Sequence, residues 1–209
     1  MKKNLTILLF LLGLLKISAQ SFEGEIIYQL NYKSKVPSIS DEQFNEMMGT
    51  TQNYFIKEGN YKALIDGTGM EWQLYINAEN KLYNKLADSN MAYWIDASKE
   101  GNTIQEVLIN KKALKILGYE CDEVIFVCKN GNEKYYFNSE LSIDISLFEN
   151  HALGHWFDYL KISGALPMMA YIETPECIIK STAVKIDPKK LNSDIFKIPE
   201  GVMTEKSPY

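Results

Sequence analysis

Arginine is absent from the 209 residues, histidine occurs only twice and cysteine three times. Each shortage excludes something. Every basic residue is a lysine, so the planar guanidinium fork that clamps carboxylates and phosphates in two-point fashion is missing. The 22 lysines are outnumbered by 27 acidic residues, a balance that disfavours nucleic acid, whose binding rests on neutralising phosphates. Long apolar runs are also scarce. The only one spans Leu5 to Leu15, after Lys2 and Lys3 and before the small residues Ser18 and Ala19. That order reads as a secretory signal peptide over residues 1–19, cleaved after Ala19, and the run falls short of the roughly 20 residues that span a bilayer. No cysteine sits at the junction, so the chain does not read as a lipoprotein. Without the leader's three lysines the net charge falls from −5 to −8. The expectation is a periplasmic or secreted protein with one domain over residues 20–209, a length of about 190 that supports a real core.

What the sequence does contain is β-pattern. Phe22 to Tyr32 alternates, with Phe22, Gly24, Ile26, Tyr28, Leu30 and Tyr32 on one side and mostly polar residues on the other, the signature of a strand with one wet face. Ser40 precedes "DEQFNEMMG" with Gln43 at the capping-box position, which predicts a short helix presenting Phe44, Met47 and Met48 on one face. Thr51 to Asp96 reads as a meander broken at Glu58-Gly59-Asn60, Asp66-Gly67 and Asn77 to Asn80. Asn130-Gly131 predicts a tight hairpin pairing Lys129 with Asn132, Phe126 with Tyr135, Val124 with Phe137 and Ile125 with Tyr136. A short helix is expected near Ile145 to His151, two further strands around "MMAYIET" and "ECIIKSTAVKID", and an apolar plug at Ile195 and Phe196. The fold class is therefore mainly β, an antiparallel barrel or half-barrel of about eight to eleven strands with one or two short helices.

The cysteines do not read as a reactive pair. Cys121 and Cys128 differ in parity along one strand and lie roughly 23 Å apart at 3.3 Å per residue, so neither a bridge nor a shared metal is expected between them. A Cys121–Cys177 disulfide, a Cys128–Cys177 disulfide and three reduced thiols all remain open. His151 and His155 stand four apart with Asp158 beyond, a spacing that on a helix suits zinc. Gly154 interrupts that helix and no third ligand is evident, so they read as ordinary loop histidines. No GxSxG elbow, HExxH run or phosphate loop is visible, and neither catalysis nor a cofactor or metal is expected.

The remaining feature is an apolar surface. Tyr28, Leu30, Trp72, Leu74, Ile95, Phe126, Tyr135 and Phe137 are expected to form one concave wall. Phe44, Met47, Met48, Met168 and Met169 are expected to close it, methionine being adaptable toward varied apolar ligands. The other reading of the same residues is a core that packs on itself.

Three segments carry a resemblance to a family. "KILGYECDEVIFVCKNGNEKYYFNSEL" resembles a segment of secreted proteins of diderm bacteria, with its "I-x-GY-x-C" entry, hairpin and aromatic pair. "SGALPMMAYIE" resembles the segment that gives the GLPGLI proteins their name. "LNSDIFKIPEGV" is similar to the "F-x-IP-x-G" ending shared with the LolA-like lipoprotein-carrier superfamily. The resemblance implies a curved half-barrel closed by short helices around an apolar cavity. This chain lacks the cavity arginine of the lipoprotein carriers, so the expected function is the broader one: an envelope protein binding a lipid, acyl chain or other hydrophobic ligand. The alternative is a non-catalytic structural or interaction module that meets an envelope protein partner.

Overall fold

A computed structural model describes residues 21–208; the signal peptide expected at residues 1–19 lies outside the described residues. The described chain is built on one sheet of twelve strands. In chain order they are β1 (Gly24–Ser34), β2 (Thr51–Lys57), β3 (Asn60–Ile65), β4 (Met70–Ile76), β5 (Lys81–Leu86), β6 (Met91–Asp96), β7 (Ile104–Ile116), β8 (Tyr119–Cys128), β9 (Gly131–Ser142), β10 (Ala165–Glu173), β11 (Cys177–Pro188) and β12 (Met203–Lys206). Two short α-helices, α1 (Asp41–Met48) and α2 (Trp156–Ser163), and four 3-10 segments accompany them.

The strand order is β12-β6-β5-β4-β3-β2-β1-β11-β10-β9-β8-β7. The chain starts at the middle of the sheet, meanders outward through β6, crosses to the far edge at β7 and meanders back until β11 pairs with β1. All described pairings are antiparallel except the C-terminal strand β12, which runs parallel to β6. The sheet is open, with β7 and β12 at its edges. The β7 edge is long and exposes Val107, Leu108 and Ile109. Its pairing with β8 slips between Ile104 and Glu106 and again between Asn110 and Leu114. Such bulges, with the lysines at 111, 112 and 115, discourage the edge from templating another strand.

Turn chemistry explains the meander. Glu58 and Gly59 both have positive φ (48° and 78°), as do Leu117 and Gly118 (49° and 90°), and each pair fills a two-residue connection of the type I′ kind. The hairpin after Cys128 differs from its expected register. Cys128 pairs with Gly131, Val124 with Tyr135, Ile125 with Lys134 and Phe126 with Glu133. The turn is made by Lys129 and Asn130, and Gly131 alone takes positive φ, at 105°. The slip is two residues, so Val124, Phe126, Tyr135 and Phe137 keep their expected face. Alternation fails at Cys121. It turns inward against Met168, with sulfurs 3.6 Å apart, and shares a core cluster with Cys128. There β8 has passed the end of its pairing with β9, at Asp122, and faces the bulge of β7.

One face of the sheet carries the main core, and the segment from Ile145 to Ser163 lies over it. Phe148, Tyr159 and Leu160 from that segment are fully buried against the sheet. The ring of Tyr159 sits 4.5 Å from that of Tyr135 and 6.1 Å from that of Phe137. A second, smaller core lies on the opposite face, where Trp72, Leu74, Tyr83 and Ala92 meet Phe196 of the C-terminal 3-10 turn, with Ile195 packed beside them. The plug expected at Ile195 and Phe196 is therefore present, on the face away from α2. The helical segment over the main core runs further than expected, because Trp156–Ser163 is α-helix and not loop.

Candidate functional site

The residues expected to form one apolar wall divide between the two faces. Tyr28, Leu30, Phe126, Tyr135 and Phe137 belong to the main core. Trp72 and Leu74 do not; they face the opposite side and are covered by Phe196. The cause is strand parity, since Tyr75 and Gln73 take the positions on the helix-covered side of β4. Ile95 is half-buried, opposite Leu82. Of the expected closing group, Phe44 and Met168 are buried in the main core and Met48 packs against it. Met47 is 38% exposed. Met169, next to Met168 on a strand, lines a surface cavity with Lys134, Tyr136, Tyr171 and Lys180. The space in front of the true wall is occupied by α2 and its flanking turns, which sequence periodicity did not place.

Open space exists at another point. A cavity of about 560 Å³ is lined by Met70, Gln73, Asn84, Leu86, Tyr93, Ser207 and Pro208. Gln73 pairs with Asn84, and Asn84 with Tyr93, across β4, β5 and β6, so the lining shares the face of Tyr75 but lies beyond the reach of α2. The Gln73 amide donates to Asn84 Oδ1 at 2.8 Å. Met70, Leu86, Tyr93 and Pro208 supply apolar walls around this amide pair.

The two histidines part company. Gly154 (φ 63°) and His155 (φ 51°) are both left-handed, so the chain between them is no continuous helix and the i, i+4 zinc spacing is lost. Asp158 turns away to Lys161, 2.7 Å distant. His151 Nε2 lies 2.8 Å from Tyr61 Oη. His155 instead joins Cys128 and Glu133 in a buried cluster. Its Nδ1 is 3.1 Å from Glu133 Oε1 and 4.0 Å from Cys128 Sγ, and its Nε2 is 3.2 Å from the Asn102 carbonyl oxygen. Tyr135 donates its hydroxyl to the other oxygen, Glu133 Oε2, at 2.9 Å. Burial pushes the Cys128 thiol up to about 11, with Glu133 and Glu100 adding to the effect, so this sulfur is no activated nucleophile. Burial also raises the Glu133 carboxyl, partly opposed by His155. For His155, burial pulls downward, but Glu133 and its neighbours outweigh it and the net direction is up.

All three cysteines are free and buried. The Cys121–Cys177 and Cys128–Cys177 bridges left open by the sequence are not formed. Both partners of Cys177 lie on β8, three strands from β11, roughly 14 Å at 4.8 Å per strand, whereas bridged Cα atoms lie within about 7 Å.

These features define a mainly β protein with an open, largely antiparallel sheet and two short helices. No family model matches the chain, and no curated protein does. Among solved structures the chain is similar to one described as PNGF-II in space group P21, with a TM-score of 0.49 and 11% identity over 90% of this chain and 32% of that one. This chain thus spans less than a third of that protein's length. Among the described residues, no helix is long and apolar enough to cross a membrane.

Proposed function

We propose that the protein is an exported, non-catalytic envelope binding protein whose sheet is a curved half-barrel of the LolA-like kind, and that it takes a lipid or other hydrophobic ligand at the β4–β6 end of that half-barrel. The observation that carries this reading is the cavity walled by Met70, Leu86, Tyr93 and Pro208. Its volume of about 560 Å³ falls within the range of about 300–1,000 Å³ usual for small-molecule sites. Burying apolar ligand surface there contributes about 2.5 kcal/mol for each 100 Å² removed from water. The Gln73–Asn84 amide pair uses one donor and one acceptor internally, leaving Gln73 Oε1 and the Asn84 amide hydrogens to meet a headgroup. The ligand therefore sits beside, and not against, most of the wall that periodicity singles out, because α2 already covers it.

Native mass spectrometry of protein purified without detergent tests the reading. An adduct of lipid mass that gentle collision removes is expected. A spectrum showing only the bare chain, before and after incubation with fatty acid, favours the self-filled interaction module instead.

A further inference from the structure

Cys128 ends β8, Glu133 follows on β9, and His155 arrives from the turn ahead of α2. Each is at most 6% exposed, and their sulfur, carboxylate oxygen and ring nitrogen all lie within 4.8 Å of one another. We propose that these three residues form a binding site for one divalent transition-metal ion of the zinc class, ligated by Cys128 Sγ, Glu133 Oε1 and His155 Nδ1. The inference does not depend on the hydrophobic-ligand reading.

Four observations support it. Zinc ligands at 2.0–2.3 Å from the metal stand roughly 3.3–3.7 Å apart when tetrahedral. The observed separations of 3.1 Å (Nδ1 to Oε1) and 4.0 Å (Nδ1 to Sγ) bracket that range, and Sγ lies within 4.8 Å of the carboxylate, so an ion draws the thiol inward toward the other two ligands. The outer contacts are those that orient metal ligands. His155 Nε2 lies against the Asn102 carbonyl, which selects Nδ1 as the ligating nitrogen, and the Tyr135 hydroxyl holds Glu133 Oε2 so that Oε1 is presented. The backbone is also committed to this aim: His155 is held left-handed, its N–H donating to Glu100 Oε2 at 3.0 Å, a conformation that costs a non-glycine residue about 1 kcal/mol or more. Finally, a thiolate and a carboxylate together neutralise a dication, so the ion and its three ligands carry no net charge, and the further carboxylate beside them, Glu100 at 4.0 Å from His155 Nε2, is partly exposed to solvent. A sulfur, nitrogen and oxygen set suits zinc or cobalt and not magnesium or calcium, which take oxygen. Coordination sends to solvent the thiol proton of Cys128 and whatever proton is shared between His155 Nδ1 and Glu133 Oε1, while Nε2–H stays on the Asn102 carbonyl, and the three ligands leave a fourth position for water.

The sequence reading missed this site because it tested His151 with His155, and Cys121 with Cys128. The usable signal was the hairpin, since Cys128 and Glu133 straddle its turn on the same face.

Chelator-treated protein titrated with cobalt(II) provides the test. One ion per chain is expected, with a thiolate-to-cobalt charge-transfer band in the near ultraviolet. Cys128→Ser abolishes the band and His155→Ala weakens binding at least tenfold, while Cys121→Ser and Cys177→Ser keep both. X-ray absorption of the zinc-loaded wild type reads the coordination without any variant, and one sulfur with nitrogen or oxygen neighbours is expected. Absence of the cobalt band, its survival in Cys128→Ser, or a zinc shell without sulfur overturns the proposal.

Discussion

Tyr61 on β3 and His151 in the turn before α2, ninety residues apart, are joined by a 2.8 Å hydrogen bond between Oη and Nε2. The contact ties the covering segment to the sheet, and His151 is only 2% exposed. Its other nitrogen, Nδ1, is buried without a hydrogen-bond partner among the described residues. Burial accordingly holds the imidazole down to about 4. The ordinary value is 6.5, so between pH 6.5 and 4 the unfolded chain binds a proton that the folded one refuses. Stability from this group is complete above pH 6.5 and is lost as pH falls toward 4, by about 3 kcal/mol at most. Chemical denaturation at pH 7.5 and 4.5 should show a smaller pH-dependent loss in His151→Gln than in the wild type. Equal losses in the two proteins would refute the assignment.

Gly131 is required by two constraints at once. Its φ is 105°, and a Cβ built there would meet the Glu173 carbonyl oxygen of β10 closer than van der Waals contact permits. Gly131→Ala should destabilise by about 2 kcal/mol or more, whereas Gly101→Ala, with open space around it and no positive φ, should change stability by less than about 0.5 kcal/mol. Thermal melts of the two variants check the contrast.

Ser40 caps α1 as its sequence predicts. The Gln43 N–H donates to Ser40 Oγ at 3.2 Å, and the Ser40 N–H donates to Gln43 Oε1 at 2.8 Å. Ser40→Ala should cost about 1 kcal/mol, or roughly 2–4 °C in a domain of this size, read by calorimetry. An unchanged melting temperature would show that α1 is held by Phe44, stacked 6.0 Å from Tyr32, and not by its cap.

Legibility in the sequence followed the range of each interaction. Local signals were readable: the alternation of β1, the cap of α1, the Glu58-Gly59 turn and the plug at Phe196. The Leu117-Gly118 turn was not, because leucine rarely takes positive φ and gives no turn signal. α2 escaped because Gly154 and His155 stand left-handed before it and Gly164 ends it, leaving eight residues with too little periodicity to compete with the surrounding loop. The face of Trp72 and Leu74 was lost for a different reason. β4 alternates Trp72, Leu74 and Ile76 with Glu71, Gln73 and Tyr75, so alternation marked the first set as a core face but could not say that its core is the one under Phe196 and not the one that holds Tyr75. The Cys128–Glu133–His155 cluster depends on a contact made only when the segment after β9 folds back over the sheet.

Titration with a fluorescent fatty-acid analogue, comparing wild type with Leu86→Glu, tests most directly the proposed seating of an apolar ligand at Leu86. Leu86 is 40% exposed, so the substitution leaves the fold intact while placing a charge that resists burial against an acyl chain. Saturable binding near one molecule per chain in the wild type, weakened at least tenfold in Leu86→Glu at unchanged melting temperature, is the predicted result. No uptake by the wild type, or equal uptake by both proteins, would contradict it.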